Sequence, residues 1–216
     1  MEKQTLTLYH YWRSSCSWRV RWALAIKGLP YESVSVDLLK GEQQGSNYAL
    51  QAPTQYVPCL VINGKPFGES LAIIEYLEDM YPNPALLPKD PEKKLTVRQL
   101  SHIIASGTQP IQNLSVMRLH SSQPEEQQAW ARHWIRKGLE AYSRVLIAAG
   151  LKDGAYSLGN EITLADLCLV PQVYNAFRFQ VPIKDLPRLE EIYNNCLNLP
   201  ACEQAAPQNQ PGATPS

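Results

Sequence analysis

Thr5-Leu6-Thr7-Leu8-Tyr9-His10-Tyr11-Trp12-Arg13-Ser14-Ser15-Cys16-Ser17-Trp18-Arg19 is the stretch on which the fold turns. Thr5 to Tyr11 alternates around Leu6, Leu8 and His10, the period of a strand. Ser14-Ser15 then opens a helix, and Gly28 and Pro30 are its stop signals. A second alternation through Val34 and Val36 predicts a strand from Tyr31 to Asp37. Residues 38–56 are polar and broken by Gly41, Gly45 and Pro53, which reads as loop with a short helix. Pro58 precedes Cys59-Leu60-Val61-Ile62 and the hairpin dipeptide Asn63-Gly64. Ser70 is expected to cap a helix whose apolar stripe is Ile73, Tyr76, Leu77 and Met80. Residues 1–81 therefore read as a small α/β layer.

Residues 82–91 hold Pro82, Pro84, Pro88 and Pro91, a run that resists helix and sheet and predicts a linker. Strand patterns disappear beyond it, so residues 92–202 read as an all-helical domain. Glu92 to about Arg118 is expected to be helical with a bend at Gly107 and Pro110. Glu125 to Ala149 keeps Ile135, Leu139, Tyr142 and Leu146 on one side. Thr163-Leu164-Ala165-Asp166 has the spacing of a capping box. The helix behind it, Leu164 to Phe177, is apolar nearly all round and carries Pro171, which predicts a kink. A last helix runs from Pro187 to about Leu197. Residues 203–216 are mostly Gln, Pro, Ala, Asn and Ser, and predict a loose tail.

Composition narrows the function. Of 216 residues, 44% are hydrophobic and 19% charged, as in an ordinary globular protein. No apolar run reaches the roughly 18 residues of a membrane span, and the N-terminus lacks a charged-then-apolar signal, so neither membrane insertion nor secretion is expected. Twenty basic residues balance twenty acidic ones, which argues against a dedicated nucleic-acid binder. The balance is uneven along the chain: residues 1–28 carry Lys3, Arg13, Arg19, Arg21 and Lys27 against Glu2 alone. The five cysteines are an odd number that no closed disulfide set uses up. His10, His102, His120 and His133 have no ligand spacing, so no metal is expected.

Three places could carry chemistry. Arg13 to Arg19 spans a strand-to-helix junction, where free amides and the helix dipole favour an anion. Serine hydroxyls there are further donors, although an N-cap role alone also accounts for Ser14 or Ser15. Cys16 has Arg19 where a dithiol motif needs its second cysteine, which excludes dithiol redox chemistry but not a monothiol mechanism. Val57-Pro58 leads into a strand. A cis bond would turn the Val57 backbone outward toward a peptide-like ligand, and a trans bond at a strand's first residue is the commoner arrangement. Glu69-Ser70 opens a helix, either as plain capping or as a site for an ammonium and a carboxylate.

Taken in order, these signals resemble the cytosolic glutathione transferases: a thioredoxin-like α/β N-terminal domain and an all-α C-terminal domain. Ser14-Ser15-Cys16-Ser17-Trp18-Arg19-Val20-Arg21 looks like the zeta-class signature. Glu69 to Leu77, Gln109-Pro110-Ile111-Gln112-Asn113-Leu114-Ser115 and Ala165 to Val173 match in register. The resemblance implies glutathione as cofactor, with Ser14, Ser15 and Cys16 catalytic and Ser17, Trp18 and Arg19 part of the binding motif. It further implies that Val57 and Pro58 meet the cysteinyl part, Glu69 and Ser70 the γ-glutamyl end, and Gln44 the tripeptide. Gln109, Asn113, Leu114 and Ser115 match helical-domain positions near the site, and Arg178 matches an arginine for a substrate carboxylate. Arg13 joins it as a substrate-side candidate on charge and position alone.

Zeta-class enzymes isomerise maleylacetoacetate to fumarylacetoacetate in tyrosine and phenylalanine breakdown, and some process α-haloacids. Maleylpyruvate isomerases share much of the pattern, and a monothiol reductase using Cys16 is a further alternative. The family also implies a cytoplasmic homodimer acting on a small carboxylate, with no nucleic-acid or membrane partner.

Overall fold

The computed structural model describes residues 4–214; the first three residues and the last two of the expected tail lie outside them. The chain divides into two compact units, one of residues up to Pro84 together with those from Pro200 onward, the other Ala85–Leu199.

In the first unit, β1 (Leu6–His10) leads into α1 (Ser15–Ile26) and β2 (Glu32–Ser35). A 3-10 turn (Glu42–Gln44) and α2 (Ser46–Gln51) precede β3 (Cys59–Ile62), β4 (Lys65–Phe67) and α3 (Ser70–Met80). The sheet order is β2-β1-β3-β4, with β1 parallel to β2 and antiparallel to β3. This is the thioredoxin-like arrangement. Alternation along β1 buries Leu6, Leu8 and His10, and Leu8 pairs with Leu60 on β3. The opposite face packs Tyr9, Val57 and Val61 against Val36, Tyr48 and Cys59. Asn63 and Gly64 both take positive φ, 49° and 79°, as a two-residue hairpin turn requires.

The helix α1 is buried on nearly every side, with Trp18, Val20, Trp22 and Leu24 in the core. Each such side chain contributes about 1.5–3 kcal/mol by leaving water. Lys27 then ties its end to α3 through Glu78 at 2.5 Å.

The expectation of a loose tail is corrected. Pro200–Ala205 forms α9, which packs on α1. Cys202, Ala205, Ala206 and Pro207 are buried, and Gln210 Nε2 donates to the Gln204 and Ala206 carbonyls at 2.7 and 3.1 Å. A polar, proline-containing segment hides its order from sequence because its contacts lie almost two hundred residues away.

The second unit is helical: α4 (Pro91–Ala105), α5 (Leu114–His120), α6 (Pro124–Ala148), α7 (Leu164–Arg178) and α8 (Pro187–Leu197). The helix expected to bend at Gly107 and Pro110 is interrupted there. Pro110 has no amide to continue the ladder, and Thr108 Oγ1 donates to the Ile103 carbonyl at 2.7 Å. Gly138 lets α6 approach this turn, since a Cβ there would lie 2.0 Å from Thr108 Oγ1. The helix α7 runs through Pro171 and is almost wholly buried. At its start, buried Asp166 accepts from Ser157 N and Thr163 N, both at 2.8 Å, and from Thr163 Oγ1 at 3.0 Å. Among the described residues no helix is long and apolar enough to cross a membrane, and no group of three or more His, Cys, Asp or Glu could hold a metal ion.

Candidate active site

The turn from β1 into α1 places Ser14 at the N-cap, its Oγ accepting the Ser17 amide at 3.2 Å. Its own amide donates to the Tyr11 carbonyl at 3.0 Å. A hydroxyl that accepts in a cap still has its hydrogen to give, so capping does not compete with donation to a bound anion. Ser14 and Cys16 are half-buried, Ser15 is buried, and Ser17 and Trp18 are fully inside. Arg13 lies over the Trp12 ring at 5.0 Å.

Arg19 is only 1% exposed. Its Nη1 reaches Cys16 Sγ at 3.8 Å and Ser70 Oγ at 3.3 Å. Nε and Nη2 are buried with no hydrogen-bond partner among the described residues. One guanidinium thus joins the serine–cysteine turn to the start of α3. This corrects the expected cap: Ser70 is the first helical residue and its hydroxyl is taken by Arg19, while Glu69 occupies the N-cap without a side-chain cap bond. Glu69 has φ 63° and ψ 105°, a conformation that costs a non-glycine residue roughly 1–3 kcal/mol. Its exposed carboxylate stands at this junction. The Val57-Pro58 bond is cis. Gln44 is exposed on the 3-10 turn.

In the second unit, Asn113 is the N-cap of α5, Leu114 and Ser115 are its first residues, and Gln109 lies in the turn before it. Arg178 ends α7, exposed, its guanidinium 4.7 Å from the Phe179 ring centre.

Comparison with known proteins gives a consistent answer. Residues 8–85 match the family described as "Glutathione S-transferase, N-terminal domain". The chain is 45% identical to the maleylacetoacetate isomerase of Rattus norvegicus over 206 residues, covering 94% of this chain and 93% of the relative. It superposes on a maleyl pyruvate isomerase, a bacterial glutathione transferase in the zeta class, with TM-score 0.92, 39% identity and coverage of 96% and 100%. The chain belongs to the zeta-class glutathione transferases. A maleylacetoacetate isomerase from Anaeromyxobacter dehalogenans, with bound dicarboxyethyl glutathione and citrate in the active site, is 41% identical with TM-score 0.88, covering all of this chain and 96% of that one.

Within this zeta-class chain, Arg19 joins Cys16 to Ser70 in the first unit, next to the Ser14 cap. What the sequence reading missed is the structural part played by the two buried arginines and by two glutamines. Gln112 and Gln172 form a reciprocal buried amide pair at 3.0 and 3.2 Å. Two segments that match the family in register therefore touch each other. Arg19 was legible as part of the binding motif and Arg21 only as a basic residue; a helix apolar on both sides of an arginine, here Trp18, Val20 and Trp22, is the signal that it is inside.

Proposed function

We propose that this zeta-class chain is a glutathione-dependent cis–trans isomerase that converts maleylacetoacetate to fumarylacetoacetate. The observation that carries the reading is the pairing of Ser14, at the N-terminus of α1, with the Arg19 bridge from Cys16 to Ser70. The donor set suits glutathione. Ser14 and the α1 amides face an anionic sulfur, Ser70 and the α3 amides face a carboxylate, and exposed Glu69 faces an ammonium.

When bound, glutathione supplies a thiolate whose reversible addition makes the cis double bond single and free to rotate, and whose elimination leaves the trans isomer. Ser14 donates its hydroxyl hydrogen to that sulfur, and the helix dipole lowers the cost of its charge. Cys16 assists beside it, and Arg19 keeps Cys16 and Ser70 in register. Val57 and Pro58 align the cysteinyl backbone, and Gln44 the rest of the tripeptide. Gln109, Asn113, Leu114 and Ser115 serve the helical-domain side. Arg178 and Arg13 receive the substrate carboxylate, a charge-assisted role that guanidinium suits. Thiol addition across the double bond of a cis-butenedioic acid gives a dicarboxyethyl glutathione, the compound held by the Anaeromyxobacter relative.

The working form is a cytoplasmic homodimer. Support comes from five cysteines that form no disulfide among the described residues and from Leu50 and Tyr56, 78% and 60% exposed on the first unit, which suit a subunit contact. A second reading, maleylpyruvate as substrate, is favoured by the likeness to the maleyl pyruvate isomerase. Assaying maleylacetoacetate and maleylpyruvate side by side with glutathione tests both. Faster turnover of maleylacetoacetate is expected; conversion of neither substrate sinks the isomerase reading.

A further inference from the structure

Arg21 has been given no part in the reaction, yet its guanidinium is the most heavily engaged buried cation of the first unit. It is 1% exposed and meets no carboxylate among the described residues. Nε donates to the Ala205 carbonyl at 3.0 Å, at the end of α9. Nη2 donates to the Trp12 carbonyl at 3.0 Å, and Nη1 to the Tyr11 carbonyl at 3.4 Å. Nη1 also lies 3.2 Å from His10 Nδ1. Guanidinium only donates, so His10 Nδ1 accepts, its proton sits on Nε2, and Nε2 donates to Ser33 Oγ at 2.7 Å.

These contacts form a chain of positions. The Tyr11 carbonyl that Arg21 holds is also the acceptor of the Ser14 amide. The Ser14 hydroxyl in turn accepts the Ser17 amide that opens α1. At the other end, Ala205 is the last residue of α9, and terminal helix carbonyls lack partners inside their own helix. A cation placed there gains from the negative end of the peptide dipoles. The segment carrying Ala205 is itself fastened, with Gln210 Nε2 donating to two of its carbonyls and Asn209 Nδ2 to Glu203 O at 2.8 Å. Burial, partly offset by Tyr31, lowers Arg21 to about 9, so it remains a cation at neutral pH.

We infer that Arg21 is a positioning residue through which the C-terminal segment 200–210 sets the thiolate-binding turn. The segment fixes the guanidinium, the guanidinium fixes the Tyr11 and Trp12 carbonyls, and these fix the amide and hydroxyl of Ser14. The inference rests on the glutathione reading above, because it is the sulfur at Ser14 that would sense the arrangement.

The test uses full-length Arg21→Met, which keeps the volume and removes the donors, and Gln210→Ala, which loosens the C-terminal segment and touches neither Arg21 nor Ser14. For each, the ultraviolet thiolate absorbance of enzyme-bound glutathione is titrated with pH, beside the pH profile of kcat/KM and the thermal unfolding midpoint. Arg21→Met is expected to raise the thiolate titration midpoint by about one pH unit. Its activity loss at neutral pH should then be largely recovered at higher pH. Gln210→Ala should shift both in the same direction by less. Folded variants that lower only the unfolding midpoint, with titration and pH profile unmoved, overturn the inference and leave Arg21 a structural residue. If Arg21→Met does not fold, Gln210→Ala decides by the same two readouts. A wild-type enzyme that shows no thiolate titration overturns the glutathione reading itself, and the inference with it.

Discussion

The buried Asp166 and Gln112–Gln172 networks of the helical unit and the Arg19–Glu69 junction of the α/β unit treat their polar groups differently. In the helical unit, the buried carboxylate of Asp166 collects three donors, and Gln112 and Gln172 satisfy each other. In the α/β unit, Arg19 keeps two buried donors without partners, and Glu69 sits in a strained conformation beside Ser70. A satisfied buried group stabilises a fold, whereas an unsatisfied one carries a cost that persists where function needs it. The difference separates a scaffold from a site, and four substitutions or conditions can break it.

The largest expected effect is on the scaffold side. Asp166→Ala strands the Ser157 and Thr163 donors in the interior and should cost about 3 kcal/mol. That corresponds to an unfolding midpoint lower by roughly 6–12 °C for a chain of this size. A loss within error would mean that the buried network is ornamental. Next, Ser14→Ala should reduce kcat/KM about 100-fold, the scale of one lost donor to a developing anion. Its stability cost should be only about 1 kcal/mol, the scale of a lost N-cap. Equal, small losses in both would place Ser14 with the scaffold.

Gly138→Ala should destabilise by about 2 kcal/mol, because its Cβ overlaps Thr108. Thr108→Ala in the same chain should recover part of the loss in a denaturant titration. A further effect is on pH, and it is read as a slope. Burial, and then the Arg21 charge, lower His10 from 6.5 to about 4. Between those values the unfolded chain binds the proton and the folded chain does not, so stability is present above 6.5 and falls as pH drops toward 4. The slope is at most about 1.4 kcal/mol per pH unit. Replacing His10 with Gln should flatten it in urea titrations across that range.

Much of the architecture was readable in the sequence because local chemistry decides it. Pro187 opens α8 where a first-turn proline is tolerated, and the Asn63-Gly64 hairpin follows from two residues that accept positive φ. Ser14 was legible as a cap and as a donor; the geometry shows the cap, and a hydroxyl that accepts keeps its hydrogen to give. Other features depend on distant partners and left no local mark. The order of α9 rests on its contacts with α1, Arg21 among them, and the hydroxyl of Ser70 is claimed by Arg19. A sequence lists such arginines among the charges; flanking Trp18, Val20 and Trp22 mark these two as inside, and only the fold says what they hold.

The central claim is that the chain isomerises its substrate with a thiolate borrowed from glutathione and held at Ser14, with Cys16 dispensable. The most direct measurement follows maleylacetoacetate conversion while glutathione is titrated, in the wild type and in Cys16→Ala. The account predicts a rate that saturates with glutathione, no net consumption of the thiol, and substantial activity in Cys16→Ala. No conversion at any glutathione concentration, or a dead Cys16→Ala variant in a reaction that oxidises the thiol, would contradict it.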